Sequence, residues 1–84
     1  MSEDQKMDIF DELAEAWPAP VVARREVSRF SGGVLNPRTL ANLDSLGQGP
    51  PRIALRPRVI AYPTRALVEW MRDRAAKTKI GERK

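Results

Sequence analysis

The sequence predicts a small, mostly α-helical domain carrying one β-hairpin, and three observations support that prediction. Apolar residues recur at helical spacing in separate stretches along the chain. Gly32-Gly33 and Asn36-Pro37 punctuate its middle, a stop signal followed closely by a start signal. Ile53-Ala54-Leu55 and Val59-Ile60-Ala61-Tyr62 flank Arg56-Pro57-Arg58, the pattern of two short strands around a turn.

A chain of 84 residues allows one small domain. Its 42% hydrophobic and 31% charged residues are ordinary globular chemistry. With no Cys there is no disulfide framework or thiolate metal site, and with no His the usual general base and commonest metal ligand are missing. The body beyond the leader holds five scattered acids, with no paired carboxylates, phosphate loop or nucleophile–base pair, so the reading is a non-enzyme that needs no cofactor. No apolar run approaches the ~20 residues of a membrane span, and the acidic start is unlike a signal peptide. The expected location is the cytoplasm, at the nucleoid, with no membrane contact. Charge is divided unevenly. Residues 1–20 carry six acids and one Lys, whereas the rest of the chain carries five acids and fourteen bases. A basic body suits a polyanionic partner, although it also serves solubility.

Taken in order, residues 1–20 read as an acidic leader, helical or disordered. Ile9, Leu13 and Trp17 fall at i, i+4, i+8 with Phe10 beside them, and Trp17-Pro18-Ala19-Pro20 stops any helix. The domain proper is expected over residues 21–77. Residues 21–31 read as a short helix with Val22, Ala23, Val27 and Phe30 on one face, ended by Gly32-Gly33. Asn36 is a good N-cap and Pro37 suits the first helical position, so a second helix runs through Leu40, Leu43 and Leu46 to Gly47. Helix, Gly-containing turn and helix in this order make a helix-turn-helix. Gly47-Gln48-Gly49-Pro50-Pro51 is a rigid connector to the hairpin. The last helix is expected over residues 64–77, with Leu67, Val68, Met71 and Ala75 as its apolar stripe and Trp70 packing beside it. Tyr62 is expected to end its strand with the hydroxyl toward water. Residues 78–84 form a basic tail without periodicity, read as flexible. The whole describes a winged helix-turn-helix.

On a helical wheel of the second helix, Arg38, Ala41, Asn42 and Ser45 lie opposite the leucines. A helix with a small, hydrogen-bonding outer face fits the major groove, where Arg pairs with guanine and Asn with adenine. Pro37 and Thr39 stand at the helix start, whose free amides suit a phosphate. The bland reading of the same residues is a solvated helix face. Arg52, Arg56 and Arg58 flank or form the hairpin turn, and suit phosphate contact or a narrow minor groove. Charged residues and Pro also blunt an exposed sheet edge. Arg24, Arg25 and Arg29 on the first helix of the pair are candidates for the DNA backbone.

The stretch Glu26-Val27-Ser28-Arg29-Phe30, Gly33, Asn36 through Asn42, Gly47-Gln48-Gly49-Pro50-Pro51, then Tyr62, Leu67 and Trp70, resembles the small winged-helix proteins of the excisionase and AlpA-type regulator group. These are distant relatives of MerR DNA-binding domains. The likeness covers roughly residues 21–74. It implies that the second helix reads the major groove, with Arg38 and Thr39 at recognition positions. It further implies that the hairpin is a wing with Arg58 at its basic position. Such proteins bend DNA to direct a phage integrase or regulate transcription of mobile-element genes, as monomers or weak oligomers on adjacent sites. This chain departs from the pattern in four ways. Arg56-Pro57 stands where the family has a wing-turn Gly, and the segment before Tyr62 is about one residue longer. Asp44 lies in the recognition helix, on the flank of its wheel, and Ala66 stands where an acidic residue often precedes the Leu of the last helix.

The sequence therefore points to double-stranded DNA as the partner, with an integrase or RNA polymerase as a protein partner. The alternative is a protein-interaction module that docks through the Ile9, Leu13, Trp17 stripe of the acidic leader.

Overall fold

A capping box starts the first helix. In the computed structural model, which describes residues 8–78, the Asp8 carboxylate accepts from the Asp11 amide at 2.9 Å, and the Asp11 carboxylate reaches back to the Asp8 amide. Helix α1 (Ile9–Ala16) then runs to Trp17, whose extended backbone ahead of Pro18 ends it. Its inward stripe is Phe10, Leu13, Ala14 and Trp17, and Ile9 is turned outward. The stripe is thus rotated from the Ile9, Leu13, Trp17 line expected, because Phe10 offers more area to bury than Ile9. Helix α1 packs along α4 (Thr64–Thr78). Arg72 joins the two: its guanidinium donates to Asp8 at 3.0 Å, to Asp11 at 2.9 Å and to Glu69, and lies 5.6 Å from the centre of the Phe10 ring. Residues 1–7 of the leader and 79–84 of the expected tail lie outside the described residues.

Residues 21–23 replace an expected helical turn with a strand. β1 (Val21–Ala23) pairs antiparallel with β3 (Val59–Pro63), Val22 opposite Tyr62. Pro20 and two β-branched valines favour extended backbone, and the edge of β3 supplies the hydrogen-bonding partners. The entry is pinned from several sides. The Thr64 amide donates to the Pro20 carbonyl, and its hydroxyl to that of Ala19, each at 2.8 Å, while the Trp17 indole donates to Val21 at 2.9 Å. The helical part shrinks to a 3-10 turn at Arg24–Glu26 and α2 (Val27–Phe30). Val22, Val27 and Phe30 are nonetheless buried, as expected of that face.

Two glycines then close helices in the same way. Gly32 takes φ +66° after α2, its amide donating to Arg29 and that of Gly33 to Ser28 at 2.7 Å. The buried Ser31 hydroxyl donates to Val27 and accepts from the Leu35 amide at 2.8 Å, tying the turn down. Asn36 caps α3 (Pro37–Ser45) by accepting from the Thr39 amide at 2.8 Å, with Pro37 at the start as expected. Gly47, at φ +76°, ends α3 with the Gln48 amide on the Leu43 carbonyl at 2.9 Å.

β2 (Ile53–Arg56) and β3 form the hairpin, joined by the two-residue turn Pro57-Arg58, and the sheet order is β1-β3-β2. Pairing slips between Ala54 and Arg56, so Leu55 is an extra residue bulged out of register and 67% exposed. The core gathers Val22, Val27, Phe30, Leu40, Tyr62, Leu67, Val68 and Met71, with Phe10, Leu13 and Trp17 packed against it. The result is mostly helical with a small sheet, the fold class the sequence predicts. Among the described residues no helix is long and apolar enough to cross a membrane.

Candidate nucleic-acid interface

Helix α3 is oriented by two buried residues one turn apart, Leu40 and Asp44. With these inward, Arg38, Asn42 and Ser45 come to the opposite, exposed side, as the wheel requires. Ala41 and Pro37 are half-buried at the flanks, and Thr39 is exposed. The Ser45 hydroxyl turns back onto the Asn42 carbonyl at 3.2 Å. The Thr39 amide, expected to be open to a phosphate, is occupied by Asn36. Leu46 does not join Leu40 and Leu43 inside; it follows the last helical residue and is 67% exposed.

Asp44 also departs from expectation. Expected on the flank of α3, its side chain is 5% exposed. Its Oδ2 accepts from Arg24 Nη2 at 2.5 Å and from the Tyr62 hydroxyl at 2.8 Å, and that hydroxyl in turn accepts from Arg24 Nε at 3.0 Å. Tyr62 is fully buried, so its hydroxyl faces a carboxylate and not water. Burial, helped by donation to Asp44, raises the Tyr62 pKa above the ordinary phenol value. Burial also disfavours the charge on Arg24, yet its bonds to Tyr62 and Asp44 outweigh this and its pKa is raised. Asp44 Oδ1 has no hydrogen-bond partner; Arg52 Nη1 stands 3.8 Å away. The 3-10 turn, α3 and β3 thus meet around one carboxylate. A signal for it existed in the sequence. Asp44 is four residues from Leu40 and next to Leu43, on the rim of the apolar stripe.

The arginines expected to meet DNA divide accordingly. Arg24 and Arg52 are ion-paired with Asp44, and Arg29 with Glu26 at 3.2 Å while also lying 5.8 Å from the Trp17 ring centre. Arg25 in the 3-10 turn, Arg38 on α3, Arg56 at the end of β2 and Arg58 in the hairpin turn are exposed. Among the described residues, none of these four side chains has an ion pair, hydrogen bond or ring contact. On α4 and α1 most of the charges are matched. Arg72 takes Asp8, Asp11 and Glu69, Lys77 takes Asp73 at 3.0 Å, and Arg65 stands 3.8 Å from Glu15. Among the described residues, Glu12 is the one acid outside an ion pair.

An apolar groove of about 340 Å³ opens between α1, α3 and α4, lined by Phe10, Val34, Leu35, Thr39, Leu43, Trp70, Met71, Arg74 and Ala75. Trp70 is half-buried beside it, donating to the Gln48 carbonyl at 3.2 Å with Arg74 4.9 Å from its ring centre. Helices with a small hairpin, a capped α3 and an exposed polar face on it are consistent with a DNA-binding module of helix-turn-helix type. No protein-family model, characterised protein or solved structure matches this chain.

Proposed function

We propose that the protein binds double-stranded DNA, with α3 in the major groove and the β2–β3 hairpin as a wing on the neighbouring backbone or minor groove. The observation that carries this reading is the distribution of unmatched charge. Nearly every acid among the described residues is ion-paired, and the arginines left over are Arg25, Arg38, Arg56 and Arg58. A surface with uncompensated guanidinium groups attracts a polyanion. Arg38 adds a second argument. It lies in the first turn of α3, where the helix dipole is positive and a cation costs a few tenths of a kcal/mol. Helix stability gives no reason for a cation there, whereas a guanine edge or a phosphate does. Arg38, Asn42 and Ser45 read bases in this proposal, and Arg25, Arg56 and Arg58 meet the backbone. Pro37, Thr39 and Ala41 shape the edges of that face.

The finer reading is an excisionase-like recombination accessory, or an AlpA-type transcriptional regulator of a phage or mobile element. It works at the nucleoid beside an integrase or RNA polymerase, as monomers or weak oligomers on adjacent sites. That assignment rests on the residues quoted for the resemblance. The alternative docking module loses part of its surface, because Leu13 and Trp17 pack against the core and only Ile9 of that trio is exposed.

Selection of bound duplexes from a random pool at moderate salt tests the proposal. Arg38→Ala should weaken the selected site by about 1–3 kcal/mol and relax preference at one position. Failure of the wild-type chain to retain any duplex at low salt would refute DNA binding, and an unchanged Arg38→Ala isotherm would remove Arg38 from the interface.

A further inference from the structure

Asp44 is the only buried acid among the described residues, and it sits on the helix proposed to read DNA. Stability alone does not account for it. A buried ion pair is commonly matched or bettered by apolar residues of the same volume, because desolvation offsets the attraction. Its geometry does two things that an apolar residue could not do. First, the bonds to Tyr62 on β3 and Arg24 before α2 hold the roll of α3 about its own axis. That roll decides whether Arg38, Asn42 and Ser45 face outward together. Second, the carboxylate holds one arginine at 2.5 Å and draws another, Arg52, to 3.8 Å. Both arginine side chains remain partly exposed, at 26% and 46%, so both would otherwise add to the charge offered to phosphate.

We propose that Asp44 is a specificity-determining positioning residue: it fixes the face that α3 presents to base edges and withholds Arg24 and Arg52 from sequence-independent phosphate contact. This inference rests on the DNA-binding reading above. Phosphate contacts raise affinity for every duplex alike, whereas base contacts raise it only for the right one. Removing two cations from the first group therefore widens the gap between selected and random DNA.

The test compares wild type, Asp44→Asn and Tyr62→Phe on a selected duplex and on a random duplex across a salt series. Asp44→Asn keeps the size and acceptor oxygen but not the charge. It should bind random duplex several-fold more tightly than wild type. Its log–log salt slope should steepen by about 0.9 for each arginine released, and its preference for the selected duplex should fall at least about tenfold. Tyr62→Phe removes one hydroxyl and leaves the carboxylate charge, so random binding should hold while preference falls. A purely structural role would lower both affinities in parallel, in step with the unfolded fraction seen by circular dichroism, and that result overturns the proposal. Preference unchanged in both variants also overturns it, and if Asp44→Asn does not fold, Tyr62→Phe decides alone. Loss of the DNA-binding reading is recognised separately, because then the wild-type chain itself retains no duplex.

Discussion

Gly49 gives the sharpest test of the network beneath α3. A Cβ at this position would lie 1.9 Å from Asp44 Oδ1, 3.0 Å from its Cγ and 3.2 Å from its backbone nitrogen. Ordinary contact begins near 3.4 Å, so the methyl overlaps the carboxylate by about 1.5 Å. The carboxylate cannot swing aside freely, since Arg24 and Tyr62 hold its other oxygen. Gly49→Ala must therefore expel Asp44 from its partners or lift the connector off α3. Breaking a buried charged pair costs on the order of 3–5 kcal/mol. A domain of this size has a total stability of roughly 4–13 kcal/mol. At about 4–8 °C per kcal/mol the thermal midpoint should fall by more than about 10 °C, measured by far-ultraviolet circular dichroism. A double-mutant cycle assigns the cause. In an Asp44→Ala background the blocking Oδ1 and Cγ are gone, so Gly49→Ala should add less than about 1 kcal/mol, a coupling of at least about 2 kcal/mol. A single variant melting within about 2 °C of wild type would refute the reasoning, as would equal costs in both backgrounds.

Asn36→Ala removes the cap on the Thr39 amide and should cost about 0.5–2 kcal/mol in urea unfolding, while Asn36→Asp should cost much less. An alanine variant as stable as wild type would mean that Pro37 alone starts α3. The docking of α1 should depend on pH. Hydrogen bonding from Arg72 lowers the Asp8 pKa below its ordinary value near 3.8, so this contribution is complete above that value and is lost as pH falls through the lower folded-state value. Protection of the α1 amides, relative to their intrinsic exchange at each pH, should fall as the pH drops below 3.8, and Arg72→Gln should remove that dependence. Loosening of α1 on raising the pH from 5 to 8 would contradict the assignment.

Much of the architecture was legible because local chemistry enforces it. Asn36-Pro37 specifies a helix start, Gly32 and Gly47 take the left-handed conformation that ends a helix, and the runs around Arg56-Pro57-Arg58 form the hairpin. The exposed side of α3, with Arg38, Asn42 and Ser45, followed from spacing once the leucine stripe was recognised. Residues 21–23 were not legible as a strand, because Val22 and Ala23 are compatible with both helical and strand periodicity. What decided between them was the free edge of β3, some forty positions along the chain. The Ile9 stripe was misplaced for a related reason. Ile9 and Phe10 are adjacent and both apolar, and only α4 with Arg72 determines which one turns inward.

By itself the sequence determined the helix starts and stops, the hairpin and the caps, since these depend on each residue and its neighbours within one or two turns, whereas strand β1 needed the edge of β3. Tertiary structure alone decided which charges remain uncompensated. Ion pairing is a through-space property, and Arg24, Asp44, Arg52 and Tyr62 are brought to one point only when α3, the connector and the sheet have packed. A row of arginines in the sequence therefore says how much positive charge there is, and the folded chain says which guanidinium groups are left to offer it.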